Sequence, residues 1–417
     1  MLATLRHRNF ALLWTGGLIS FTGNRMLSTA LPYYVYQQTG STIATAIMTV
    51  VAILPFVLLG SFSGVYVDRW NLKRILVLSN LLQTATVLLL LLFQTEALLW
   101  VVYVVGLAQA IISTFTEPAE NKLLPQLVGD EHLLSANALN SLNNNLARLI
   151  GPPLGGALLG LFGLEIVVLF DSLSFLCAAA LIALIALPTA PRPAEGQPPA
   201  REATGALAER WARFWQEWRE GVTLIGRDRL ILTLTLILGA TGFAGSMFSP
   251  LYPAFAEDVL RAGAVGFGWI LTAQALGGIL GGMLIGQWGR TLPATMLLAW
   301  GNILVGLLLA LQFNVPFLPL ALAVAFLIGP EQVAVNVGLQ TLLQRSVPDP
   351  VKGRVFGAMG TLNALFGMSG AAAAGPLGLA LGIVPSLNIA VAITIAVGAL
   401  ALVVFPRVMA EPRSEAI

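Results

Sequence analysis

A few ionisable side chains stand inside long apolar runs of this sequence, among them Arg25, Glu117, Arg148, Asp171 and Glu331. A charge in hydrocarbon is costly, so each is a candidate for moving protons or ions or for holding a polar ligand. Glu331 precedes Arg345 by fourteen residues, or ~21 Å at the helical rise of about 1.5 Å per residue, which puts it near the middle of its run. A carboxyl there can take up and release a proton, and Glu331 is the first candidate for proton or cation coupling. The other reading is a carboxylate tied to a buried partner, or hydrogen-bonded through the break at Pro330. Glu117 is the second coupling candidate, although Glu117 and Glu120 could equally cap the end of their helix and pair with Lys122 or Arg69. Arg148, Asn24 and Arg25 are candidates for a substrate cavity, and Glu117 is one conceivable partner of Arg148. For Arg25 the favoured partner is Asp171, as a structural ion pair. Phe21, Tyr33, Tyr34, Tyr36, Phe243, Phe248 and Tyr252 could line the same cavity or face lipid.

Other chemistries find little material. The histidines are His7 and His132 and the cysteine is Cys177, too few for a metal site of usual spacing. No G-x-x-x-x-G-K-[ST] loop is present to hold a nucleotide phosphate. The expectation is a protein that is not an enzyme and has no metal or other cofactor. A channel or a receptor is a further alternative.

The elements that carry these residues follow from composition. The 417 residues are 57% hydrophobic and only 10% charged, against roughly 25% charged in soluble domains. So few charges cannot clothe a water-facing surface, and the lipid bilayer is the expected surrounding. At about 20 apolar residues per crossing, spans fall near 10–36, 43–67, 74–95, 98–121, 134–162, 165–188, 229–256, 265–289, 292–313, 315–343, 353–382 and 385–406. The first follows Arg6-His7-Arg8 as a signal peptide would, but reads as an uncleaved helix because of its length and the eleven spans after it. With both termini in the cytoplasm, nineteen basic residues lie inside, Arg261 alone lies outside, and Arg25 and Arg148 lie within spans. That asymmetry is the positive-inside rule. It also explains the net charge of +2 without any nucleic-acid partner.

Residues 189–228 form the longest polar stretch and divide the chain into 1–188, a six-helix bundle, and 229–417, a second one. Within the stretch, Leu207, Trp211, Phe214, Trp218, Val222 and Ile225 recur every three or four residues, opposite Arg210, Arg213 and Arg219. This predicts an amphipathic helix lying in the membrane interface or on the protein's own cytoplasmic surface. The halves repeat: Gly60 and Gly64 recur as Gly282 and Gly286, Val128 and Asp130 as Val347 and Asp349, Leu142-Asn143 as Leu362-Asn363, and Gly151-Pro152 as Gly375-Pro376. A duplicated unit predicts a site where the two copies meet.

Two motifs sharpen this. Between spans 2 and 3, GSFSGVYVDRWNLKR places Gly64, Asp68, Arg69, Lys73 and Arg74, which resembles the loop signature of the major facilitator superfamily. In span 5, ARLIGPPLGG places Gly151, Pro152, Gly155 and Gly156 and resembles the motif of antiporting members, though close helix packing alone also accounts for the glycines. TEPAENKLLPQLV, SANALNSLNNNLARLIGPPLGG, FDSLSFL and LLQRSVPDPVKGRVFG look like the macrolide-efflux and siderophore-exporter branch, the third drug:proton antiporter group.

The resemblance implies an all-α membrane protein of twelve transmembrane helices in two pseudo-symmetric six-helix bundles, in the inner membrane, working as a monomer. It implies export of drugs or other small amphiphilic molecules by alternating access in exchange for protons, with siderophore or lysophospholipid transport as the alternative. It makes Gly64, Asp68, Arg69, Lys73 and Arg74 a conformational latch, with the acid lying against the start of helix 11 near Lys352, Gly353 and Arg354. The second copy, GMLIGQWGR, lacks that acid, so the latch is expected to be asymmetric. Members of this branch often carry an acid where Asn24 stands, which shifts proton coupling to Glu331 and Glu117.

Overall fold

The computed structural model describes residues 2–67, 70–93, 95–186, 207–288 and 292–410. Among them the chain forms thirteen α-helices and no strand. The first six are α1 (Arg8–Thr39), α2 (Thr42–Val67), α3 (Leu72–Leu88), α4 (Leu99–Val128), α5 (Leu133–Phe162) and α6 (Leu164–Ala183). A connecting helix follows, α7 (Leu207–Arg227). The last six are α8 (Arg229–Ala254), α9 (Gly263–Trp288), α10 (Ala294–Asn314), α11 (Leu318–Ser346), α12 (Lys352–Leu381) and α13 (Ile383–Ala410).

Local chemistry sets the ends. Gly40 closes α1 in the left-handed region at φ 58° and returns its N–H to Tyr36 O, a conformation glycine adopts without a Cβ penalty. Asp228 starts α8 by accepting from the N–H groups of Leu230 and Ile231 at 2.8 and 3.0 Å, which satisfies two of the donors every helix start leaves over. Among the described residues, ten helices are long and apolar enough to cross a membrane. The other two of the expected spans are α1, with Asn24, Arg25, Gln37 and Gln38, and α5, whose first half holds Asn137, Asn140, Asn143, Asn144 and Asn145. Part of each polar set is exposed, Asn24, Arg25 and Ser28 on α1 and Ser141, Asn144 and Asn145 on α5, whereas Asn143 is buried against α1.

The helices sort into two sets with matching neighbours. In the first, α1 packs on α5 and α6, α3 on α4 and α6, and α2 on α4. In the second, α8 packs on α12 and α13, α10 on α11 and α13, and α9 on α11. The sets join through α2 with α12 and α5 with α9, contacts that a two-fold rotation exchanges. The repeat extends to side chains: Asn80 on α3 and Asn302 on α10 each donate to the carbonyl four residues back, at 2.8 Å. Asn143 of α5 faces Gly17 of α1 just as Asn363 of α12 faces Gly242 of α8.

The apolar face of α7 rests on the protein. Ile225 is 3% exposed in a cluster with Leu230, Val355 and Ala358, with Trp218 and Val222 packed beside it. Gly221 lies against the backbone of Arg354, and Arg354 Nη1 donates to Glu220 Oε2 at 2.8 Å. Of the two placements expected for this helix, residues 218–225 take the protein surface. The side chains of Leu207, Arg210, Trp211, Arg213 and Phe214 lie outside the described residues.

Candidate functional site

The bundles meet at one end only among the described residues. At the end carrying the α1–α2 and α5–α6 turns, here the far end, they touch backbone to backbone. A Cβ on Gly156 of α5 would lie 2.3 Å from Ala264 O of α9, and one on Gly268 would lie 2.5 Å from Pro152 O. On the symmetric side, a Cβ on Gly375 of α12 would lie 2.9 Å from Ala46 and from Ile43 of α2. Thr42 and Thr45 donate across this seam to Gly375 O and Pro250 O, both at 2.9 Å. Tyr33 donates to Glu257 and Tyr36 to Asp258, joining α1 to a π-helical turn, Phe255–Val259, that extends α8. At the linker end, where α7 lies, a Cβ on Gly282, Gly286, Gly353 or Gly357 would meet nothing within 4 Å.

Between the bundles this arrangement leaves a cavity of ≈ 520 Å³. Its second-bundle wall combines Phe248, Tyr252, Phe267 and Phe313 with Gln274, Asn302, Gln332, Asn336 and Asn363. Tyr252 is held by Gln312, whose Nε2 donates to its hydroxyl at 2.6 Å. From the first bundle, α1 contributes Ser28 and Pro32. Arg25 lies on that stripe, three and seven residues before them, and Asn24, Arg25 and Ser28 are exposed. Arg148 is exposed on α5 in a polar stripe with Ser141, Asn144 and Asn145. Gly151, one turn along, abuts Arg25 Cβ, so two residues of like charge stand about one turn apart on either side of the α1–α5 contact.

The expected pairing of Arg25 with Asp171 does not form. Asp171 is 1% exposed on α6 and lies against Gly23 on another side of α1, beside Ser174, whose hydroxyl donates to its carbonyl at 2.7 Å. Its Oδ2 is buried with no hydrogen-bond partner. The physical reason is orientation: Gly23 turns towards α6, and Arg25, two residues on, must point elsewhere. Arg148 and Glu117 form no ion pair either.

The coupling candidates are set apart. Glu331 lines a second, apolar groove of ≈ 510 Å³ between α9, α10 and α11, with Trp300 and Leu304, whereas its neighbour Gln332 lines the central cavity. Glu117 is exposed, and Glu120 reaches towards the bare backbone of Gly17 beside Asn143. Of the latch, Asp68 and Arg69 lie outside the described residues. Lys73 is engaged within its own bundle, donating to Ile185 O at 2.7 Å. Near the start of α12, Lys352 is paired with Asp349 and Arg354 with Glu220.

The profile of the transmembrane secretion effector family matches residues 1–415. The chain belongs to this family of the major facilitator superfamily. It is similar to the multidrug efflux pump Tap of Mycolicibacterium fortuitum, 29% identical over 88% of each chain. It is also similar to macrolide efflux protein A of Streptococcus pyogenes, 23% identical over 85% of this chain and 86% of that one. The enterobactin exporter EntS of Escherichia coli is 25% identical over 89% and 86%. In fold it matches a bacterial homologue of the lysosomal transporter Spinster, with a TM-score of 0.73, 15% identity and coverage of 98% and 99%. It likewise matches a bacterial homologue of ferroportin, with a TM-score of 0.72, 18% identity and coverage of 97% and 99%. The family member is therefore a multi-pass membrane transporter and no enzyme.

Sequence reasoning missed the acids of the far end and the amides of the second-bundle wall. Glu257 and Asp258 sit at the end of an apolar run and read as interfacial. The signal available was their depth, which matches that of Tyr33 and Tyr36. Gln332 and Asn336, four residues apart on one face of α11, carry no charge and so escaped a search for ionisable groups.

Proposed function

We propose that this family member is a secondary active exporter of small amphiphilic molecules, loading them from the cytoplasm and exchanging them for protons. The observation that carries this reading is a cavity between two repeat-related bundles, closed by backbone contact at the far end and uncontacted at the linker end. Taking the linker end as cytoplasmic agrees with the placement of the basic residues and with both termini inside, in the plasma membrane. Two units joined by a two-fold pair of seams can rock about them, which is how alternating access works in inverted or repeated transporter folds. Twelve spanning helices follow when α1 and α5 are counted as spans beside the ten more apolar ones. The division 1–188, 189–228 and 229–417 then separates the moving bodies, with α7 travelling with the second.

The acids differ in their suitability for coupling. Coupling needs a group whose protonation competes with substrate for one conformation. Glu117 and Glu120 stand on the first-bundle side, a few turns from Arg25 and Arg148, whereas Glu331 faces the lateral groove. Glu117 and Glu120 are thus the proposed proton carriers, and Glu331 serves packing or a lipid contact. Purified protein in proteoliposomes, loaded in turn with a cationic, a neutral and an anionic amphiphilic dye under an imposed pH gradient, tests both points. Uphill dye movement should need the gradient, be abolished in Glu120→Gln while downhill movement remains, and persist in Glu331→Gln. Dye movement unaffected by collapse of the gradient would remove proton exchange from the reading.

A further inference from the structure

We infer that the transported molecule carries an anionic group, a carboxylate or a similarly charged oxyacid, which Arg25 and Arg148 hold while its apolar body lies on the aromatic wall of the second bundle. This rests on the exporter reading and names the substrate class of its cavity.

Three observations carry the inference. Neither guanidinium has a carboxylate within ion-pairing distance among the described residues, and neither is engaged in a side-chain hydrogen bond. Two like charges are nevertheless brought together in a membrane protein, where each is costly and is ordinarily paired. Gly151 makes that approach possible: only a residue without a Cβ lets α5 sit against Arg25. The cost is compensated when an anion bridges the two, because arginine presents forked N–H donors that match carboxylate geometry.

The second observation is the opposite wall. The residues lining the cavity include no Asp, Glu, Lys, Arg or His, so the charge that stands nearest to this lining along α1 is Arg25, one turn before Ser28. The wall's amides and the hydroxyl of Tyr252 can hydrogen-bond a neutral polar substituent, and Phe248, Phe267 and Phe313 give an apolar surface. The third is the wet stripe on α5. Ser141, Asn144, Asn145 and Arg148 are all exposed along one helix face, and a polar face of this kind belongs against water rather than lipid. It forms a hydrated path by which a charged headgroup reaches the arginines from the linker end. An arginine pair beside an uncharged, aromatic cavity fits a molecule with one charged end.

Binding to the full-length protein in nanodiscs tests this by fluorescence polarisation with three probes: carboxyfluorescein (anionic), rhodamine 6G (cationic) and Nile red (neutral). The expected result is carboxyfluorescein binding about ten-fold tighter than rhodamine 6G, as losing a charge-assisted hydrogen bond typically costs that much or more. Arg25→Gln and Arg148→Gln should each weaken carboxyfluorescein about ten-fold, Arg148→Lys less, and all three should bind Nile red as the parent does. A melting temperature equal to the parent's identifies the variants as folded. Rhodamine 6G binding as tight as carboxyfluorescein, no binding of carboxyfluorescein, or Arg→Gln variants that bind it undiminished would overturn the inference. Proteoliposome flux separates the two readings. Arginine-dependent binding with no dye movement removes the exporter and keeps the anion site, whereas uphill rhodamine 6G movement without carboxyfluorescein binding does the reverse.

Discussion

The two ends of the molecule use glycine in opposite ways. At the far end Gly156, Gly268 and Gly375 let helices of different bundles touch through their backbones. At the linker end Gly282, Gly286, Gly353 and Gly357 face open space, although Gly282 and Gly286 repeat the Gly60 and Gly64 spacing of the first half. On the proposed exporter reading, the linker-end set is the surface of a contact that forms when that end closes.

This contrast can be broken most forcefully by adding a Cβ at each end. Gly156→Val would press on Ala264 O, and overpacking of this kind costs roughly 1–3 kcal/mol. Its melting temperature should fall, and dye transport with it. Gly282→Val meets nothing here, so its melting temperature should stay at the parent value while uphill transport falls about ten-fold, through a lost closed state of comparable energy. Equal destabilisation by both substitutions would contradict the asymmetry.

The polar part of the far-end seal comes next in size. Hydrogen bonds to charged groups contribute about 1.5–3 kcal/mol, so Glu257→Gln should loosen the contact with Tyr33. A cysteine replacing Ser28 in a Cys177→Ser background should then react faster with an impermeant maleimide from the far side. An unchanged rate would mean that the backbone seam alone holds the end shut. Inside the first bundle, Asp171→Asn should leave the melting temperature unchanged or raise it, because the carboxyl has no cation to lose. A drop of several degrees would restore the ion-pair reading.

Smaller effects belong to the linker end. Glu220 and Arg354 are each about two-fifths exposed, and ion pairs of that kind contribute about 0–1 kcal/mol, so Glu220→Gln should shift stability barely and transport only if α7 must stay attached. Lys352 holds the Asp349 carboxyl below its ordinary value by hydrogen bonding and charge. Its contribution is present above the ordinary carboxylate range and is lost as pH falls through the depressed value. In Asp349→Asn that acid-limb dependence should vanish from the melting curve, a minor change because the pair is open to solvent.

Much of this architecture was legible in the sequence because membrane helices announce themselves by length and apolarity. Most expected starts and ends lie within a few residues of the helices, but α3 stops at Leu88 rather than near 95 and α6 at Ala183 rather than near 188, and α4 runs on to Val128 through Pro118 and Pro125. Polar residues close to a helix end made that extension look like loop. The site was less legible. A helical sequence gives the depth of a residue well and its direction poorly: Glu331 and Gln332 share a depth and face different cavities. Likewise Arg25 and Asp171 are at compatible depths but lie on different sides of α1. Pairings between bundles, such as Tyr33 with Glu257, connect residues 224 positions apart and leave no local pattern. The Gly-Pro run of α5 was legible as smooth surface. Only the structure assigns Gly151 and Gly155 to α1 and Gly156 to α9.

The far-end seam also bears on hydration. Thr42 and Thr45 satisfy carbonyls of the other bundle, and two tyrosines satisfy its carboxylates. In the alternating access proposed above, parting of the bundles there would take the partners from all of these groups at once, in a setting where hydrocarbon supplies none. Only water can replace them, so the far end cannot open dry: wetting and parting are one event. Osmolytes that lower water activity should then slow the step from the closed to the opened far end, making the rate of the cycle a measure of how readily that narrow seam fills.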